Sequence, residues 1–303
     1  MNLTDRTGRA QELVLLAPAK INLTLDVTGR RDDGYHLIET IMQTVDFADR
    51  VAVRLGGEPG GIRLRLSDAS LPTDARNTAY RAAAAFLAAL AQREMEPVGV
   101  EIAIHKHIPI QAGLAGGSAD AAAVLVALNR LTDARLTDEE LCALGETVGA
   151  DVPFCIVGGA ALATGTGTIL SPLPPLPACP LVIAKPAAGV STPEAYRRID
   201  AADILHRPHT SAVADALCAG ELAAVGRELC NVFEEALDLP AVRVIKEEMR
   251  RYGTLGCQMT GSGTAVFGLF EEEGAARRCA QALAPLCPTV RLCRPCPGGP
   301  YAA

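Results

Sequence analysis

The chain has 303 residues, 49% hydrophobic and 21% charged, with a formal net charge of −7, the make-up of a globular enzyme of about two domains. No strongly basic stretch occurs, which argues against a nucleic-acid partner. The most apolar run, 82–91, is alanine-rich and too short to span a bilayer, and the charged, polar residues 1–12 do not read as a secretory leader, so a cytoplasmic protein without a membrane partner is expected.

In chain order, Val14–Leu16 and Ile21–Val27 read as strands broken by Pro18, followed by a charged turn at Gly29–Gly34. Strands over Tyr35–Val45, Val51–Leu55 and Ile62–Leu66 come next. Asp74 is placed to cap a helix running to about Arg93, with an alanine, Phe86, Leu87 and Leu90 stripe. Val100–His107 is a strand whose His105 and His107 form one wet face, alternating with Ile104 and Ile108. A loop leads to a helix from Ser118 to about Leu131, and Thr137 with Glu140 forms a capping box for the next. Phe154–Val157 and Ala160–Ala163 read as a hairpin around Gly158 and Gly159.

Five prolines in Ser171–Pro180 mark a stiff linker. It divides an N-terminal domain, 1–170, from a C-terminal domain, 181–303. The second part holds a strand at Leu181–Ala184, several helices, and two short strands around Thr260–Thr264. A helix at Ala275–Ala284, a strand at Val290–Cys293 and a disordered tail from Pro297 complete it. Antiparallel strands with segregated helices give an α+β class in two domains. The ten cysteines sit mostly singly in apolar segments, as reduced, buried thiols do. The one tight pair, Cys293 and Cys296, lacks the two further ligands a zinc site needs.

The segment Pro109-Ile-Gln-Ala-Gly-Leu-Ala-Gly-Gly-Ser-Ala-Asp-Ala-Ala-Ala123 carries the strongest chemical signal. Gly113, Gly116 and Gly117 follow a strand and precede a helix. Glycines let main-chain N–H groups approach a ligand, and the helix start adds unpaired donors and the positive end of its dipole. Together these suit phosphate. The loop lacks the lysine of a P-loop and the acidic partner of a dinucleotide fingerprint. No protein-kinase catalytic loop or G-x-S-x-G nucleophile turn occurs.

This loop, with Ala17-Pro-Ala-Lys-Ile-Asn22 and Thr260-Gly-Ser-Gly-Thr264, resembles the three motifs of the GHMP small-molecule kinases. Thr28-Gly-Arg-Arg-Asp-Asp-Gly-Tyr-His36 and Gly149-Ala-Asp-Val-Pro-Phe154 resemble the branch of that family that phosphorylates a cytidine diphosphate derivative of methylerythritol. The likeness runs in order from about Leu16 to Leu292. It implies an N-terminal domain like the second domain of ribosomal protein S5 and a ferredoxin-like C-terminal domain. It also implies ATP, carried as its Mg²⁺ complex, as phosphoryl donor and a small-molecule cytidine diphosphate acceptor, in a monomer or weak homodimer. The loop departs from the commonest family form at Ala115, where a glycine is usual, and at Ala119, where a second serine is usual.

Residue by residue, the resemblance assigns Asp151 as the base that accepts the substrate hydroxyl proton and Lys20 as its cationic partner. ATP falls to Asn77, Pro109, Ala112, Gly113, Leu114, Ala115, Gly116, Gly117, Ser118 and Ala119, with Ser118 a helix cap or a contact to phosphate or Mg²⁺. The acceptor falls to Asn22, Tyr35, His36, Tyr196, Gly261 and Ser262, the aromatic residues stacking on the base. Another GHMP kinase, acting on homoserine, mevalonate or a sugar, or a GHMP-fold binding protein without turnover, are the competing readings.

Overall fold

The computed structural model describes residues 12–303; the charged stretch 1–11 lies outside the described residues. The chain opens with two long antiparallel strands, β1 (Glu12–Arg30) and β2 (His36–Leu55). Pro18 does not break β1. The pairing with β2 instead shifts register between Pro18 and Lys20, and again between Asn22 and Thr24 and between Val27 and Gly29. A bulge tolerates the missing proline N–H and re-aims the side chains beside it. The two shifts nearest the middle of β1 bracket Lys20 and Asn22.

Next come β3 (Ile62–Leu66), α1 (Thr78–Gln92), β4 (Val100–His105), α2 (Gly116–Thr132), α3 (Asp138–Val148), α4 (Val152–Val157), β5 (Ala160–Thr164) and β6 (Ile169–Leu173). The cap of α1 is Asn77, whose side chain accepts from the Ala79 N–H; Asp74 lies too early and pairs with Arg76 instead. The capping box of Thr137 and Glu140 forms at α3. The expected hairpin at 154–163 is half helix. Val152–Val157 forms α4, with Pro153 in its first turn, where proline is favoured. The proline-rich segment begins as strand β6, which pairs only with β5, an edge position where proline is tolerated.

The remainder runs β7 (Leu181–Lys185), α5 (Thr192–Ala201), α6 (Thr210–Ala219), α7 (Leu222–Arg227), β8 (Cys230–Asn231), α8 (Val232–Leu237), α9 (Pro240–Arg251), β9 (Gly256–Met259), β10 (Val266–Leu269), α10 (Glu273–Leu283), β11 (Thr289–Cys293) and β12 (Tyr301–Ala302). The tail from Pro297 is ordered. Cys296 N–H bonds to the Thr44 carbonyl, β12 pairs with β1, and Gly158 and Gly298 meet backbone to backbone, so closely that a Cβ on Gly158 would lie 2.0 Å from Gly298.

Two sheets result. The larger follows the order β12-β1-β2-β4-β3, with β5 and β6 continuing from β2 and β8 pairing with β1. The smaller is antiparallel, β11-β7-β10-β9. Helices α1 to α4 cover the first half of the large sheet, where Leu15, Val51, Val53 and Ile102 meet Phe86, Val124, Leu125 and Leu128. The other half, through Ala19, Ile21, Leu23, Ile41 and Val45, packs against Leu181, Ile183, Phe267 and Leu269 of the small sheet. Each Val, Leu, Ile or Phe among them contributes roughly 1.5–3 kcal/mol on burial. The architecture is α+β in two parts, as expected, and its central strand β1 is buried on both faces from Ala17 to Leu25. Where that strand passes under the glycine loop, its inward residues have polar work to do.

Candidate active site

The glycine loop lies over β1, and the Lys20 N–H donates to the Leu114 carbonyl. Gly113 has φ +73° and sits against the loop 260–264; a Cβ there would lie 1.9 Å from the Thr260 carbonyl oxygen. Gly261, at φ +57°, returns the contact. Glycine is therefore required at both positions by backbone conformation and by space. Helix α2 starts at Gly116 and not at Ser118, because Ala115 adopts the left-handed conformation that ends the loop. No side chain caps this helix, and its first intrahelical bond runs from Ala119 N–H to Ala115 carbonyl. The N–H groups of Gly116, Gly117 and Ser118 are left to a ligand, a donor set suited to an anion.

A cleft of about 350 Å³ opens at this point. Pro109, Ala112, Gly113, Leu114, Ala115, Gly116 and Gly117 line one side, and Gly261 and Ser262 the other; Lys20, Asn22 and Asp151 form part of its lining. Lys20 and Asn22 share one face of β1, as residues two apart on a strand do. The Lys20 ammonium donates to Asn22 Oδ1 at 2.8 Å and to the Gly113 carbonyl at 3.2 Å, and lies 3.7 Å from Asp151 Oδ2. The lysine is buried, whereas the Asp151 side chain is 36% exposed. Thr260 completes the cluster, its hydroxyl 3.2 Å from both Asn22 Oδ1 and the Gly113 carbonyl. Asp151 sits at the start of α4, a loop-to-helix junction where a strand was expected, and its carboxylate does not cap the helix. It is held at the cleft by the backbone, and its carboxylate is left open to the cleft.

The cleft continues past Asp151, Thr192 and Tyr196 into a wider groove lined by Tyr35, His36, Ser118 and Gly149. Tyr35 is 68% exposed there, on the turn between β1 and β2. His36 stacks on Tyr196 at 4.4 Å between centroids and 22° between planes, and Tyr196 meets Phe233 edge-on. Burial, with the Asp151 charge adding to it, pushes the Tyr196 phenol up to about 12, so the ring stays neutral.

Two sequence candidates stand outside the cleft. Asn77 spends its side chain on the start of α1, and its amide donates to the Pro72 carbonyl; its neighbour Thr78 holds the Gly117 carbonyl at 2.6 Å. Ala119 is fully buried in the core behind the loop. Ser118 lies in the first turn of α2 and faces the wider groove.

Sequence reasoning missed a buried cluster directly behind the loop. Lys106, at the end of β4 and part of the cleft lining, is ion-paired to Asp49 of β2 and, at 2.6 Å, to Asp120 of α2. Asp49 also accepts from the N–H groups of His107 and Ile108. Burial opposes the charge on Lys106, but Asp120 and Asp49 outweigh it and hold its pKa above the ordinary value. Burial above all pushes the Asp120 carboxyl up to about 7, and among the described residues its Oδ1 has no hydrogen-bond partner. The only sequence trace is a charged residue between two histidines, which reads as a wet strand face. Among the described residues no group of histidine, cysteine or acidic side chains forms a metal cluster, the ten cysteines are free, and no helix is long and apolar enough to cross a membrane.

Residues 77–159 match the model of the GHMP kinase N-terminal domain and residues 213–287 that of the GHMP kinase C-terminal domain. A 4-diphosphocytidyl-2-C-methyl-D-erythritol kinase from Geobacillus kaustophilus is 44% identical over 280 residues, 92% of this chain and 95% of the relative. One from Caldicellulosiruptor saccharolyticus is 45% identical over 273 residues, 89% and 92% of the two chains. A crystal structure of 4-(cytidine 5'-diphospho)-2C-methyl-D-erythritol kinase superposes with a TM-score of 0.77 at 39% identity, covering 95% of this chain and all of the other. Homoserine kinase from Cytophaga hutchinsonii shares the fold alone, with a TM-score of 0.76 at 22% identity over the full length of both chains.

Proposed function

This chain belongs to the GHMP kinase family, and from that premise we propose that it transfers the γ-phosphoryl group of ATP to the 2-hydroxyl of 4-diphosphocytidyl-2-C-methyl-D-erythritol. The observation that carries the reading is the position of the Lys20–Asp151 pair. It sits where the glycine-lined cleft runs into the groove bearing Tyr35, His36 and Tyr196. A donor held on the loop and a base held on the aromatic rings bring phosphate and hydroxyl together at that pair.

In this reading Asp151 takes the proton from the acceptor hydroxyl, and Lys20 keeps the carboxylate ionised and fixes its orientation. Asn22 and Thr260 hold the ammonium and the loop in register, and the N–H groups of Gly116, Gly117 and Ser118 bind the transferring phosphates. The uncapped start of α2 fits the phosphates of ATP. Magnesium bound with the nucleotide supplies further charge neutralisation. Tyr35, His36 and Tyr196 take the cytosine ring, and Gly261 and Ser262 let the chain pass close to the acceptor. Relatives of the same activity, similar over nearly their whole length, support the assignment, with the C-terminal part supplying much of the acceptor wall. Its place is then in isoprenoid precursor synthesis by the non-mevalonate route.

The test is ADP release with ATP and a panel of acceptors: the cytidine diphosphate compound, homoserine, mevalonate and galactose. Turnover is expected with the cytidine compound alone. Faster turnover with another acceptor reassigns the substrate, and no turnover with any of them leaves the binding-protein reading.

A further inference from the structure

The ring of His36 stands between two concavities. On one side lies the groove with Tyr35 and Asp151; on the other, a smaller hollow lined by Arg30, Asp200, Ile204 and Arg207. From that far side Asp200, on α5, reaches His36 Nε2 with its Oδ1 at 2.6 Å. Its other oxygen lies 3.4 Å from Arg30, which fixes the carboxylate from behind. His36 Nδ1 makes no hydrogen bond among the described residues.

A carboxylate only accepts hydrogen bonds, so the bonded nitrogen of His36 carries the proton. In the neutral ring the other nitrogen is then a bare lone pair. The stack on Tyr196 holds the plane of the ring, so a base bonded edge-on to Nδ1 lies nearly parallel to Tyr196. Cytosine presents an amino donor on the edge where uracil presents a carbonyl acceptor. A lone pair at Nδ1 accepts from the first and repels the second. We infer that Asp200 is a positioning residue that fixes the tautomer of His36 and thereby selects cytosine over uracil in the acceptor. This rests on the acceptor reading given above and adds the residue that sets its base specificity.

Two measurements test it. Nitrogen-15 NMR of the histidine rings reads the tautomer without substrate: the Nε2-protonated form is expected in the wild type and a mixture of tautomers in D200A. Steady-state kinetics with the cytidine acceptor and its uridine counterpart read the selection. D200A is expected to raise KM for the cytidine compound about tenfold, to lower the cytidine-to-uridine ratio of kcat/KM by a similar factor, and to leave KM for ATP in place. D200E, which keeps an acceptor oxygen, is expected to recover part of the ratio. An unchanged ratio in D200A, or an unchanged tautomer, overturns the inference. Equal rise of KM for both acceptors also overturns it, since that is the mark of a purely structural role. A wild type that phosphorylates neither compound overturns the acceptor reading and this inference with it, an outcome told apart because the wild type itself fails.

Discussion

Lys20 and Lys106 both line the same cleft, and both are nearly withdrawn from water, yet they are held in opposite ways. Lys20 donates to two neutral oxygens and keeps one half-open carboxylate at 3.7 Å. Lys106 is saturated by two buried carboxylates. A cation with neutral partners keeps most of its field for whatever enters the cleft. A cation between two acids has spent its field on the fold. The second arrangement ties β2, the end of β4 and the second turn of α2 together at both ends of the glycine loop. It therefore fixes the loop's anchor points, whereas the first arrangement leaves its cation facing the cleft.

The sharpest break in this comparison is expected from the Lys20 side. Asp151→Asn keeps the shape but removes the proton acceptor, and is expected to lower kcat by about 10²–10⁴-fold while ATP still binds. Lys20→Met is expected to lower kcat as well, with a double variant less than additive because the pair acts as a unit. Thermal melts should barely move, since the Thr260 hydroxyl remains beside both oxygens that Lys20 leaves. A double variant whose losses simply multiply in steady-state kinetics argues that the two act separately.

Lys106→Met inverts the pattern. Asp49 keeps the His107 and Ile108 N–H groups, but Asp120 loses the Lys106 ammonium and is left as a buried acid with no cation beside it. A loss of about 3–5 kcal/mol is expected in urea unfolding. Lys106→Met combined with Asp120→Asn should recover much of it. If the single variant is as stable as the wild type but loses catalysis, Lys106 belongs with the reacting groups after all.

The loop between the two lysines gives an intermediate case. A Cβ at Gly116 would lie 2.9 Å from Ile108 Cγ2 and 3.5 Å from the Lys106 ammonium. Gly116→Val is expected to displace the start of α2 and weaken ATP binding at least about tenfold, as loss of a charge-assisted hydrogen bond to phosphate would. Calorimetry giving wild-type affinity in a folded variant removes the loop from the phosphate site.

A further effect concerns pH. The folded-state pKa of Asp120 is raised from 3.8 to about 7, so the folded chain holds the extra proton between those values. The stability from this group is fully present below about pH 4 and is lost as pH rises through about 7. Asp120→Asn should flatten the fall of urea-unfolding stability across that window. A slope unchanged by the substitution rules the group out as its source.

The parts of the site written in contiguous sequence were legible. A strand, three glycines and a helix gave the anion loop, and the motif around Lys20 and Asn22 gave the polar face of β1. The Asp49–Lys106–Asp120 cluster was not legible, because its members come from three elements and carry no mutual spacing. α4 was misread because Val-Pro-Phe-Cys-Ile-Val is a short apolar run, which periodicity alone cannot assign to strand or helix. Pro153 was the overlooked sign of a helix start. Asn77, read as a nucleotide contact, has part of its side chain engaged by the start of α1 and by the Pro72 carbonyl. The ordered tail was hidden because a glycine- and proline-rich segment is held by long-range backbone pairing that composition does not announce.

That tail bears on how the protein comes off the ribosome. β1 is made first, yet it pairs with β8 near residue 230 and with β12 at 301–302, and Val45 bridges to Pro295. Domains usually fold as units in the order they are synthesised. Here the first-made sheet gains its last strand only when residues 301–302 have emerged. Until then the Leu15–Leu16 edge of β1 stays open to other strands. A nascent chain stalled before residue 295 should therefore expose that edge to chaperones, and completing the tail should close it.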